Sequence, residues 1–182
     1  MNTRATADLT DMCRADQMYL AALVTSVVCT RLFVRQVCSY WQLDQGRIDI
    51  AELLVSELAS NAVQASGVTE PQPVKEPTTA ELKLIGVRLL EFHDSLVIEV
   101  WDTSSQPPVL LQPSAESEHG RGLQLVDALS IRWGHYDVRT GGKVVWGQLA
   151  LDDTADANGP DDAATFQQIQ KSLQAHQWDE QA

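Results

Sequence analysis

The chain has 182 residues, is 44% hydrophobic and 21% charged, and carries a formal net charge of −12. That suits one domain with tails and a real core. An acidic chain without a basic stripe argues against direct nucleic-acid binding, and no apolar run approaches membrane-spanning length. Charged residues interrupt the first stretch (Arg4, Asp8, Asp11, Arg14), so no signal peptide is expected, and the reading is a soluble cytoplasmic protein. Cys13, Cys29 and Cys38 form no CxxC and read as reduced thiols. His93, His119, His135 and His176 show no ligand spacing, so no zinc site is expected.

In chain order, residues 1–16 are polar and without a period, and read as a flexible arm. Gln17 to Thr25 reads as a strand. Ser26 to Trp41 has helical spacing, with Val27, Leu32, Val34, Val37, Cys38 and Trp41 on one stripe and Ser26 as N-cap. Leu43 to Arg47 reads as a turn. Asp49 to Ser66 reads as a long amphipathic helix, with Ile50, Leu54, Leu58 and Ala62 at helical spacing and Leu53, Val55 and Ala59 widening the apolar face. Ser66 to Thr79, with three prolines and a glycine, is a linker. Glu81 to Glu91 and Leu96 to Trp101 read as strands joined by a hairpin turn at His93-Asp94-Ser95. Thr103 to His119 is irregular. Gly120-Arg121-Gly122 leads into a helix from Leu123 to Leu129. Ser130 to Val138 is strand, broken at Gly134. Thr140-Gly141-Gly142 is a hairpin turn, and Lys143 to Leu151 the closing strand.

From Asp152 the chain holds seven acidic residues against one base, Lys171. It reads as a largely disordered tail (152–182), with a short helix over Phe166 to Trp178 that either docks on the domain or stays solvated. The domain itself spans 17–151. Its element order gives an α/β (α+β) two-layer sandwich: a mixed or antiparallel sheet with helices on one face.

Three pieces carry chemistry. Glu57 and Asn61 lie one helical turn apart on the edge of the long helix. Alone, the pair reads as an ordinary solvated edge. Asp102 changes the odds, because a period of two puts it on the same face as Ile98 and Val100. Gly120 and Gly122, at a loop-to-helix junction, can present backbone N–H groups to phosphate. A buried carboxylate can accept from adenine's amine, an asparagine oxygen suits Mg²⁺, and a glutamate one turn away can take a hydroxyl proton. No GxxxxGK[ST] motif is present, which closes the P-loop route. Trp101 and Trp146, with Glu99 on the alternation of Trp101, offer either a homodimer or partner patch, or a face covered by the tail.

Taken together and in this order, these stretches resemble the Bergerat-fold ATPases, the superfamily of gyrase, histidine kinases and mismatch-repair ATPases. The nearest likeness is to bacterial anti-sigma-factor serine/threonine kinases and their short single-domain relatives. ELLVSELASNAVQAS resembles their N box, VIEVWDTSSQPP their first glycine box, HGRGLQLVDALSIRWG the second, and GGKVVWGQL the final strand. The resemblance covers about Ser26 to Leu151. It implies an ATP site with Mg²⁺: Glu57 as catalytic base, Asn61 as metal ligand, Asp102 as adenine acceptor, and Gly120 and Gly122 at the phosphates, with Arg121 helping to hold the γ-phosphate. It also implies two partners, a sigma factor and an antagonist protein that is phosphorylated on serine. The chain departs from the pattern at Ser104 and Gln106, where glycines are usual, and at Ala65, where a histidine is often seen. A threonine from the last strand commonly supports the aspartate, and only valines are read in that place. The alternative is a non-catalytic binding module of the same fold. A histidine kinase is disfavoured, since the arm before Ser26 has no histidine and no room for a phosphoacceptor helix pair.

Overall fold

The computed structural model describes residues 12–66, 83–108 and 122–152, together with Lys171, Leu173 and Trp178. All of the expected linker (66–79) but Ser66, most of the 103–119 loop, Gly120, Arg121 and most of the expected 166–178 helix lie outside the described residues.

In chain order the elements are β1 (Arg14–Ala21), α1 (Ser26–Tyr40), α2 (Gln45–Ala65), β2 (Leu84–Glu91), β3 (Ser95–Asp102), α3 (Gly122–Leu129), β4 (Arg132–Asp137) and β5 (Lys143–Ala150). The strands form one sheet in the order β1-β2-β3-β5-β4, and every pairing is antiparallel. The two-layer α/β expectation holds, with an antiparallel sheet.

Several boundaries move, each for a local reason. β1 begins at Arg14, inside the expected arm, because Arg14 pairs in register with Glu91, bridges its carboxylate and stacks over Trp41. α2 begins at Gln45 where a turn was expected. Asp44 caps it, its side chain accepting from Arg47 N at 3.1 Å. Thr25, not Ser26, is the N-cap residue of α1, and the Ser26 hydroxyl instead donates to the Ala21 carbonyl at 2.6 Å. β4 runs through Gly134 without a break. Leu32 is exposed, because the buried stripe of α1 is Thr30, Val34, Val37 and Cys38 and Leu32 lies on the other side. Leu53 is exposed as well, since α2 buries Leu54, Val55, Leu58 and Ala59.

The main core lies between α1 and α2 and one sheet face, built from residues such as Leu54, Leu58, Ile85, Val87, Ile98 and Val100. The other face carries a second core of Leu90, Val97, Val144, Trp146 and Tyr136. Leu173 and Trp178, from the acidic tail, are buried in it. The Trp178 ring fills the space above Gly86 and packs edge-on against Tyr19. Beneath it, Arg88 forms a buried ion pair with Glu99, which also accepts from the Tyr136 hydroxyl at 2.8 Å. With both faces covered, β2 is buried along nearly its whole length, so the expected alternation of exposed and buried residues there is absent. Trp146 is buried in this second core with Leu173 and Trp178, as the tail-covered expectation has it, while Trp101 is partly buried at its edge.

Candidate functional site

α2 positions the first pair. Its apolar side is fixed against the sheet by Leu54, Leu58 and Ala62, which leaves Glu57 and Asn61 half-buried along its edge, one turn apart. α3 closes on that edge. A Cβ placed on Gly122 would stand 2.7 Å from Glu57 Oε2, 3.5 Å from Asn61 Oδ1 and 3.7 Å from Asn61 Nδ2. A side chain at 122 would press on the Glu57 carboxylate and touch the Asn61 amide, so glycine lets the helix start come this close to Glu57. The first N–H groups of α3 have no partner within the helix and carry its positive dipole end. Asn61 Nδ2 is buried and has no hydrogen-bond partner among the described residues. A buried group of this kind calls for a partner, which a water, an ion or a ligand can supply.

Asp102 ends β3 on the helix-covered face and is 1% exposed. Lys83, just before β2, donates to the carbonyl of Ser66 at the end of α2, and Ile85 of β2 sits opposite Asp102. Asp102 therefore lies toward the same end of the α2–sheet layer as Asn61. Its Oδ1 accepts from Ser104 N at 2.8 Å and from Lys143 Nζ at 2.8 Å. Burial pushes the Asp102 carboxyl above the ordinary carboxylate range, while the Lys143 bond, the Ser104 amide and the Lys143 charge pull against the rise.

Lys143 is the residue that sequence reasoning missed. It faces Asp102 directly across the β3–β5 pairing and is buried. The sequence leads one to expect only valines in the supporting place; Lys143 supports the aspartate there. The signal lies only in the β3–β5 register, which the tight turn leading into β5 does not by itself reveal. In that turn, Gly142 adopts φ +78°, and a Cβ there would collide with the Asp102 carbonyl at 2.0 Å.

Glu57, Asn61 and Gly122 thus meet at one point, and Asp102 lies toward the same end. Gly120 and Arg121 lie outside the described residues. A separate pocket, lined by Arg47, Ile50, Leu129, Ile131 and Leu149, sits at the far end of α2 and α3 and involves none of these groups.

A family model described as histidine kinase-like ATPase domain matches residues 20–148, well over half of the chain. The chain belongs to the histidine kinase-like ATPase domain family. A search of curated proteins gave no match. Membership makes this a domain of an ATP-binding family with a Bergerat-type fold. The donors present fit a magnesium nucleotide: the Asn61 oxygen is a hard ligand of the kind Mg²⁺ takes, and the orphaned Nδ2 beside it is free to donate to a phosphate oxygen. No helix among the described residues is long and apolar enough to cross a membrane.

Proposed function

We propose that this ATPase domain is a serine/threonine kinase of the anti-sigma-factor type, which holds a sigma factor and phosphorylates an antagonist protein on serine. The observation that carries the reading is the packing of Gly122 against Glu57 Oε2 and the Asn61 amide. It brings a carboxylate, a carboxamide and the start of α3 together, and phosphoryl transfer needs little more than the positioning and charge neutralisation such groups can supply. The sigma factor and the antagonist rest on the resemblance of the N box and both glycine boxes to the anti-sigma-type kinases.

In this mechanism Asp102 accepts a hydrogen bond from the adenine amine. Asn61 would hold Mg²⁺, which would supply neutralisation of phosphate charge. Gly122 brings the α3 backbone donors to the phosphates. Glu57 takes the proton of the target serine hydroxyl as its oxygen bonds to the γ-phosphorus. The bond from that phosphorus to the β–γ bridging oxygen breaks, and ADP leaves with the electron pair.

One observation favours a second reading. Oδ1 of Asp102 is already held by Lys143 and the Ser104 amide, and a carboxylate neutralised in this way attracts an amine less strongly. That suits a non-catalytic module that regulates a partner by contact, with or without nucleotide. Incubation with radiolabelled ATP, Mg²⁺ and a candidate antagonist separates the two. The kinase reading expects label on the antagonist and its loss in Glu57→Ala, which still binds ATP. Failure of the wild type to label any antagonist sinks the kinase and leaves the module.

A further inference from the structure

Among the described residues, Lys143 is a buried polar side chain at the Asp102 end of the site to which neither the family nor the proposed reaction gives a part. It is only 3% exposed, and a buried ammonium is costly unless partners surround it. Its Nζ has two, Asp102 Oδ1 at 2.8 Å and the Ser104 carbonyl at 3.5 Å. An ammonium has three protons, so one is left over. Asp102 is equally lopsided: the bonds from Lys143 and from Ser104 N both fall on Oδ1. Oδ2 accepts none among the described residues. The pair therefore offers an acceptor, Oδ2, beside a donor, Nζ, on one buried carboxylate–ammonium unit.

We propose that Lys143 is a specificity-determining residue that donates to N1 of a 6-aminopurine while Oδ2 of Asp102 accepts from its amine. The inference rests on the nucleotide reading above and adds a second contact to it. A 6-aminopurine shows a donor at its amine next to an acceptor at N1, which is the complement of Oδ2 and Nζ. A 6-oxopurine shows the reverse order and is refused by both. In this arrangement the ion pair is part of the base-reading surface, and Lys143 does more than the threonine common in anti-sigma-type kinases, which supports the aspartate.

The test measures calorimetric affinities for ADP and for 1-deaza-ADP, in which a C–H replaces N1, with wild type, Lys143→Met and Lys143→Thr. The wild type is expected to prefer ADP by about ten-fold or more, the worth of one charge-assisted hydrogen bond. Lys143→Met is expected to bind ADP more weakly and to bind both ligands alike. Lys143→Thr keeps a hydroxyl for Asp102 and gives the same loss of discrimination if the methionine variant does not fold. A wild type that binds both ligands equally overturns the proposal, as does a folded variant that retains the preference; either result leaves the nucleotide reading standing. A wild type that binds no ADP overturns the nucleotide reading and this inference with it.

Discussion

Asn61 is a poor residue for stability where it stands. Its amide nitrogen is buried without a partner among the described residues, and such a group costs about 1–3 kcal/mol. Alanine at the same helical position removes the orphan and has the better helix propensity. Asn61→Ala is therefore expected to melt at the wild-type temperature or above it, and a clear loss of stability would show that the amide serves the fold. Asp102 follows the same logic. Its folded carboxyl titrates above its unfolded value, so its favourable contribution is complete below the ordinary carboxylate range and is lost as pH rises through the raised value. Glu57, Asn61 and Asp102 were legible in the sequence because each rests on a local period, one helical turn or one strand alternation. Lys143 was not. Its partner is 41 residues away, and only the β3–β5 pairing brings the two together.

α3 makes the site by where it begins. Its start comes within clash distance of the Glu57 carboxylate for any residue with a Cβ, and glycine at 122 relieves that. Gly122→Ala separates function from stability: alanine improves helix propensity by up to about 1 kcal/mol, while its Cβ forces Glu57 aside. A melting temperature within a few degrees of wild type is expected, with Mg-ATP affinity lowered about ten-fold or more. Unchanged affinity would mean that this junction does not receive the phosphates. The helices themselves were readable from spacing, since Leu54, Leu58 and Ala62 repeat on one face and are buried. Their ends were less so. The start of α2 depends on a single cap, Asp44 to Arg47 N, in a stretch that composition alone reads as a turn. β2 misled for a different reason: strand alternation presumes one wet face, and here both faces are covered.

At the scale of the molecule the sheet separates two tasks. One face carries α1, α2 and the proposed site, and the other is sealed by Leu173 and Trp178 over the Arg88–Glu99 pair. The sequence left the tail's docking open because its acidic composition resembles solvated chain, and its two apolar anchors are few. Trp178→Ala is expected to lower stability by about 3–5 kcal/mol through lost packing, read as a denaturant midpoint shift. A change below about 1 kcal/mol would show that the outer face holds without it. Nucleotide binding at the α2 edge is what the proposed kinase role of this molecule rests on. The direct measurement is calorimetric titration of Mg-ATP into the intact chain, with Glu57→Ala and Asn61→Ala alongside. Saturable binding of similar affinity is expected for wild type and Glu57→Ala, with a loss of about ten-fold or more in a folded Asn61→Ala. A wild type that binds no Mg-ATP, or an Asn61→Ala that binds it as tightly as wild type, would contradict the account.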